Sequence, residues 1–127
     1  MTTHRYSVEV TSTGTSWYRE GTLILHRLDG PAVENLDGTN YWCKEGQLHR
    51  EDGAAIEWRD GRKEWYLNGK LHRVDGAAIE WSNGTKEWWL NGILMPQAEH
   101  TRLTSPVEEM TMAQVEAALG KRIKIIK

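Results

Sequence analysis

The stretch EWYLNGKLHRVDG, residues 64–76, decides the fold because the chain repeats it at a spacing of 23 residues. The chain reads YWCKEGQLHREDG at residues 41–53, and it reads EWWLNGILMP at residues 87–96, where the pattern stops. A fixed period of this length is typical of repeat architectures, in which each copy buries its apolar face against its neighbours. We therefore expect one continuous stack of similar units.

The aligned copy reads Trp-x-x-(Asn/Glu)-Gly-x-Leu-His-Arg-x-Asp-Gly-(Pro/Ala)-Ala-(Val/Ile)-Glu. An earlier copy begins at Trp17, with two extra residues before its histidine, so the chain holds three complete cycles and a truncated fourth. The residue types that recur in phase define the structural positions of the repeat: Trp42, Trp65, Trp88, His26, His49, His72, Asp29, Asp52 and Asp75.

Asn-Gly and Asp-Gly dipeptides punctuate the copies, and such pairs favour the positive φ of tight hairpin turns. They are Asp37-Gly38, Asp60-Gly61, Asn68-Gly69, Asn83-Gly84 and Asn91-Gly92. Between them the side chains alternate with a period of two, which predicts short antiparallel strands. Trp65, Leu67, Ile79 and Trp81 would form the buried side. Two strands per copy would advance the structure by about 10 Å.

The fold class predicted for the chain is mostly β, an antiparallel meander of 23-residue hairpin repeats with a short C-terminal helix-strand cap. Residues 1–94 form the sheet, including a strand at 6–10, and residues 95–106 form a connector. Residues 107–127 form the cap, with a helix over 111–120 and a strand over 121–127. All three segments belong to one domain, because 127 residues are too few for two well-packed cores.

The composition of the chain excludes some classes of partner. Sixteen basic and 18 acidic residues give a net charge of -2, so we expect no duplex nucleic acid and no membrane among the partners. A single cysteine excludes an internal disulfide, and the first residues lack the apolar core of a signal peptide, which indicates a cytoplasmic protein. Unpaired sheet edges make homo-oligomers plausible.

The 23-residue spacing, with Trp-x-x-Asn-Gly-Lys-x-His at residues 65–72, resembles the MORN (membrane occupation and recognition nexus) repeat, a β-hairpin unit of this length. The chain departs from that family at His-Arg-x-Asp-Gly, where MORN units place a Gly-x-Gly pair. The phrase LHRLDGPA, residues 25–32, is similar to repeat proteins of bacteriophages and other viruses. This likeness covers residues 14–94, and the C-terminal tail is similar to the endings of small phage proteins.

Enzymatic chemistry is not indicated. Equivalent histidines would stand about 10 Å apart, too far to share a metal ion whose ligands lie at roughly 2 Å, so we expect no metal and no cofactor. No catalytic triad order or phosphate-binding loop is visible, which predicts that the protein is not an enzyme. Within His-Arg-x-Asp-Gly, the arginine is expected to reach the aspartate of its own or a neighbouring copy. Cys43 is interpreted as a substituted surface position.

Surface recognition remains. One predicted face carries Tyr18, Cys43, Tyr66 and Trp89 in series beside Arg62. These aromatic residues could anchor a protein partner, or stack on a nucleotide whose phosphate is paired by Arg27, Arg50 or Arg73. Alternatively, this face packs under the C-terminal helix and belongs to the core.

The resemblance to phage proteins implies a non-enzymatic protein of the host cytoplasm that binds a host protein, as an inhibitor of host defence does. Two alternatives stay open at this point. The first is a sponge that sequesters a signalling nucleotide, and the second is a passive virion or assembly protein.

Overall fold

The computed structural model describes residues 5–105 and Ala113, which is helical. Apart from Ala113, the predicted cap over 107–127 lies outside the described residues. Thirteen strands and one helix are present in the described part of the chain. They are β1 Tyr6–Val10, β2 Gly14–Arg19, β3 Val33–Asn35, β4 Asn40–Tyr41, β5 Cys43–Lys44, β6 Gln47–Leu48, β7 Ile56–Glu57, β8 Lys63–Glu64, β9 Tyr66–Leu67, β10 Lys70–Leu71, β11 Ile79–Glu80, β12 Lys86–Leu90, β13 Ile93–Met95 and α1 Gln97–Thr104.

Nine strands form one sheet in the order β1-β2-β3-β4-β7-β8-β11-β12-β13, and every pairing in it is antiparallel. Two further antiparallel pairs, β5 with β6 and β9 with β10, stand beside it. The prediction of a mostly β, antiparallel structure is confirmed. The strand predicted at residues 6–10 is β1, which lies at one edge of the sheet.

Two kinds of turn join the strands. In the first, at Glu45-Gly46, Asn68-Gly69 and Asn91-Gly92, both central residues have positive φ, near 50° and 79°. This is the geometry of the type I′ turn, whose twist matches that of the flanking strands. We call the second kind the Asx turns, which are residues 35–39, 58–62 and 81–85. In each, one glycine has φ between 90° and 95°, and the Oδ1 of an Asp or Asn accepts a backbone N–H.

The core consists of small residues. Ala54, Ala55 and Ile56 are buried, as are Ala77, Ala78 and Ile79 one copy later. The predicted buried side is therefore right for Ile79 and wrong for Trp65, Leu67 and Trp81, which are only half-buried. Strict alternation fails here because the successive residues Ala77 and Ala78 are both buried. Arg73 Nη1 donates to the carbonyl oxygen of Ala77 at 3.1 Å, and backbone hydrogen bonds join Ala78 to Trp65 and to Glu87.

The segment predicted as a connector, residues 95–106, instead contains helix α1. Pro96, whose fixed φ suits a helix start, precedes its first turn. The buried imidazole of His100 donates from Nε2 to the carbonyl oxygen of Arg73 at 2.6 Å, and the helix packs against β12. An eight-residue helix is marginal alone, so this tertiary anchor explains why it forms. Over residues 5–105 no helix has the length and apolar character needed to cross a bilayer.

Candidate functional site

Arg50 is held by four groups at once. Its Nε donates to Asp52 at 2.9 Å, and its Nη1 donates to the carbonyl oxygen of Ala54 at 3.0 Å and to Glu57 at 3.1 Å. The guanidinium also lies over the ring of Trp42, 3.8 Å from the centroid. Charge-assisted hydrogen bonds and a cation–π contact combine here, so we call this arrangement the arginine clamp.

The clamp recurs in each complete copy. Arg27 and Arg73 contact the same four kinds of partner, with cation–π distances of 4.0 and 3.9 Å over Trp17 and Trp65. Their carboxylate and carbonyl partners are Asp29, Glu34 and Pro31 for Arg27, and Asp75, Glu80 and Ala77 for Arg73. The predicted contact of each arginine with the aspartate of its own copy is confirmed. At the fourth tryptophan, Trp88, Pro96 stands at the arginine position of the repeat.

The glycine that ends each His-Arg-x-Asp-Gly phrase makes room for the clamp. A Cβ placed on Gly53 would lie 2.8 Å from Arg50 Cζ, and those on Gly30 and Gly76 would lie 2.7 and 2.8 Å from the Cζ of Arg27 and Arg73. Such distances are too short for real side chains. A side chain at any of these three positions would therefore displace the guanidinium from its clamped position.

The repeated histidines brace the next copy. Nδ1 of His26, His49 and His72 accepts the backbone N–H of Glu45, Asn68 and Asn91, each at 2.9 Å. These donors belong to the first central residue of each type I′ turn, where φ is 49° to 50°. A left-handed non-glycine residue is strained, so the imidazole supports a turn of its neighbour. Each histidine has a structural partner 19 residues ahead.

Two grooves separate the arginine turns, which we define as residues 27–30, 50–53 and 73–76. The first groove has a volume of about 340 Å³ and is lined by Arg27, Leu28, Trp42, Lys44, His49, Arg50, Glu51 and Asp52. The second, of about 560 Å³, is lined by Arg50, Glu51, Asp52, Gly53, Trp65, Leu67, His72, Arg73, Val74 and Asp75. Every lining residue of the first groove has its counterpart, 23 positions on, in the second.

The grooves share a frame and differ in a few side chains. The clamp arginines, the tryptophan and the histidine are common to both. Lys44 of the first groove is replaced by Leu67 in the second, and Glu51 by Val74. Leu28 and Val74 are exposed apolar residues on the groove rims. Leu28 of the first groove is in turn replaced by Glu51, so each groove has five charged lining residues, and the second groove is the more apolar.

The predicted aromatic row does not form one open surface. Tyr18 lies in β2 opposite Leu25, Tyr66 donates to Glu64 at 3.0 Å, and Trp89 Nε1 donates to Glu87 at 3.0 Å. All three side chains are half-buried. The interpretation of Cys43 as a surface position is wrong, because it is 5% exposed. Burial raises the pKa of its thiol from 9.0 to about 11, so the nucleophilic thiolate is disfavoured.

Arg62 belongs to a hydrogen-bonded cluster that the repeat pattern did not reveal. The carboxylate of Glu64 is buried and accepts from Trp58 Nε1 and from the Tyr66 hydroxyl, while Arg62 Nε lies 3.3 Å from it. Arg62 also stacks over Trp58 at 4.4 Å. Burial, and then the bond to Glu64, raise the pKa of Tyr66 to about 12. Its sequence signal is Arg62, which breaks the period because Thr39 and Thr85 stand at the equivalent positions of the neighbouring copies.

A third cavity, which we call the acidic pocket, lies between the first two Asx turns. Its volume is about 390 Å³, and it is lined by Asn35, Asp37, Thr39, Tyr41, Trp58, Arg59 and Asp60. Tyr41 and Trp58 meet edge to face, with centroids 5.8 Å apart. Sequence reasoning treated Asp37 and Asp60 only as turn residues, and it gave no role to Tyr41 or Trp58.

Residues 5–105 contain no group of three His, Cys, Asp or Glu side chains placed to hold a metal ion. Comparison of the chain with protein-family models, with curated proteins and with solved structures returned no match.

Proposed function

We propose that the protein is a non-enzymatic binding module that holds a partner protein across the two grooves. The observation that carries this proposal is that the chain builds the same groove twice on an identical frame, with different side chains at the accessible positions. Large grooves lined by aromatic, apolar and charged groups are suited to peptide recognition. The clamp residues supply the frame, and Lys44, Leu67, Glu51 and Val74 supply the selectivity.

The spacing favours an extended segment of the partner. One copy advances the structure by about 10 Å, and an extended segment in the polyproline II conformation rises about 3.1 Å per residue with three residues per turn, so that every third side chain lies on the same face. Side chains three residues apart in such a segment would therefore enter successive grooves. We expect an acidic side chain opposite Lys44 in the first groove and an apolar side chain against Leu67 and Val74 in the second.

A nucleotide partner is less favoured because the clamp arginines are already engaged. Each guanidinium is bonded to two carboxylates through Nε and Nη1. A phosphate would have to displace these groups or approach against their negative charge. A protein partner needs neither change.

The repeat also suggests a family for the fold and a source for the partner protein. We propose a hairpin repeat module of MORN-like type, supported by the recurrence of the type I′ turn at a spacing of 23 residues. The resemblance of LHRLDGPA to phage repeat proteins supports a host protein as the partner. Inhibition of a host defence protein is the role that follows from this inference.

The test is affinity capture from a bacterial lysate with the chain and two swap variants. Lys44→Leu/Leu67→Lys exchanges groove residues between copies and keeps composition and net charge unchanged, and each new residue already occurs at the equivalent position. Gln47→Lys/Lys70→Gln is the matched control, because both residues are exposed and line neither groove.

We expect the parent chain and the control to capture one protein stoichiometrically, and the groove swap to bind it at least about tenfold more weakly. Equal capture by both swaps would show that the grooves are not the binding surface. Capture of nothing by the parent chain would contradict the proposed function.

A further inference from the structure

The acidic pocket is separate from the grooves and has a chemistry of its own. At about 390 Å³ it lies at the low end of the range of ligand sites. Its lining combines two carboxylates, an amide and two aromatic rings. The question is which group such a lining would hold.

The two carboxylates retain acceptor capacity. Asp37 and Asp60 each use Oδ1 to accept a backbone N–H within their own turn, at 2.8 Å from Thr39 and at 2.9 Å from Arg62. Within residues 5–105 neither forms an ion pair, and Arg59, the one cation in the lining, pairs with neither of them. Ionised carboxylates have two oxygens, so each can accept a further donor.

In the second Asx turn, residues 58–62, a guanidinium of the chain itself lies against an aromatic ring and a carboxylate. There, the guanidinium of Arg62 stacks on Trp58 at 4.4 Å and pairs with Glu64 at 3.3 Å. One copy earlier, Thr39 and Tyr41 stand where Arg62 and Glu64 stand. The first turn thus lacks its own guanidinium, while the cavity beside it keeps aromatic rings and carboxylates.

We infer that the acidic pocket binds an arginine side chain of a partner protein. A guanidinium is planar, stacks on aromatic rings and donates hydrogen bonds in a fork that matches carboxylates. Asp37 and Asp60 accept its N–H donors, and Tyr41 or Trp58 provides the ring. This inference does not depend on the grooves, because a chain whose grooves bind nothing could still bind arginine here.

The probe is N-acetylarginine amide, with the citrulline analogue as its uncharged isostere. The indole N–H signal of Trp58 in nitrogen-edited NMR spectra is the readout, assigned by its loss in Trp58→Phe. We expect the arginine compound to shift this signal saturably, and the citrulline compound to bind at least about fivefold more weakly. Absence of a shift up to the solubility limit of the arginine compound overturns the inference, as does equal binding of citrulline.

Charge variants test the sign of the effect. Asp37→Asn and Asp60→Asn remove one charge each and keep the turn, because Asn83 makes the same bond in the third Asx turn, to Thr85 N–H at 2.9 Å. Each should weaken arginine binding about two- to fivefold. Arg59→Gln should strengthen it, because a like charge is removed. Asn83→Asp, which lies outside the pocket lining, should leave it unchanged.

If the two asparagine variants strengthened binding and Arg59→Gln weakened it, the pocket would bind an anion through Arg59. Binding of methyl glucoside at Trp58, undiminished in the two asparagine variants, would identify a neutral sugar site instead. Either result overturns the assignment to arginine. Groove variants such as Lys44→Leu/Leu67→Lys should leave the arginine titration unchanged, so failure here and failure of the proposed function are distinguishable.

Discussion

The guanidinium of Arg50 lies 3.8 Å from the ring centroid of Trp42 and is hydrogen-bonded to Asp52 and Glu57. Trp42, between β4 and β5, lies 8 residues before Arg50, and the two carboxylates follow Arg50 in the chain. One side chain therefore ties the β4–β5 junction, a turn and β7 together. Of the eight buried apolar residues in the described part of the chain five are alanines, whose small side chains gain less from burial than large ones do. We therefore expect the clamps to make a large contribution to its stability.

Replacing Arg50 with lysine tests the clamp. Lysine keeps the charge but loses the planar fork and the stacking on Trp42. We expect the free energy of unfolding to fall by about 1–3 kcal/mol. Arg59→Lys, at an exposed arginine without an ion pair in residues 5–105, should change it by less than about 0.5 kcal/mol. Urea unfolding followed by tryptophan fluorescence measures both, and equal effects would contradict the clamp.

Gly53→Ala should destabilise the protein by about 1 kcal/mol, because its Cβ would lie 2.8 Å from Arg50 Cζ and push the guanidinium off its partners. The φ of Gly53 is not positive, so alanine at this position adds no backbone strain to the measured loss of stability. In an Arg50→Met background the same substitution should have less than half that effect. A double-mutant cycle in urea gives the coupling, and additive effects would show that the two residues act independently.

His49→Leu removes the acceptor of the Asn68 backbone N–H, which lies 2.9 Å from Nδ1. Asn68 then keeps its left-handed conformation while its backbone N–H has lost its acceptor. We expect the free energy of unfolding to fall by about 1–3 kcal/mol. His49→Asn, whose Oδ1 can take the place of Nδ1, should recover part of it. Amide hydrogen exchange at Asn68 gives a local readout: faster exchange in the leucine variant is expected, and unchanged exchange would argue against the brace.

Alkaline pH should destabilise the fold through Cys43. Its pKa in the folded chain is about 11, raised by burial above the ordinary 9.0. A raised pKa means that the stabilisation is complete below pH 9 and is lost as pH rises towards 11. Urea midpoints over this range should fall less steeply in Cys43→Ala than in the parent chain. Tyr66, with its pKa raised to about 12, adds a loss at higher pH.

Low pH should destabilise the fold by protonating the aspartates of the arginine clamps. Hydrogen bonds from Arg50 and Arg73 lower the pKa values of Asp52 and Asp75 below the ordinary 3.8. A lowered pKa means that this stabilisation is present above pH 3.8 and is lost as pH falls through the folded-state values. Asp52→Asn/Asp75→Asn should flatten the decline of the urea midpoint below about pH 4. A decline as steep as that of the parent chain would exclude the two aspartates as its cause.

The sequence predicted the antiparallel β structure and the turns well because both depend on local signals. Asn-Gly and Asp-Gly pairs identify positions of positive φ, and all five of the predicted glycines have it. The pairing of Arg with Asp two residues later is also a local contact. These features need no knowledge of how distant parts of the chain meet.

The rest depends on contacts between copies. Ala78 is hydrogen-bonded on both sides by distant backbone, to Trp65 and to Glu87, and α1 forms because His100 reaches the Arg73 carbonyl, 27 residues away. None of these contacts leaves a mark in local periodicity. The acidic pocket was missed because Tyr41 and Trp58 occupy different positions of the repeat, and only the sheet brings them together.

Hydrogen–deuterium exchange of the chain, alone and bound to the captured partner, tests the central claim most directly. The grooves between the arginine turns are lined from residues 42–52 and 65–75. We predict that partner binding slows exchange in both segments. Protection confined to β1 and β2, with both segments unchanged, would place the binding surface elsewhere and contradict the account.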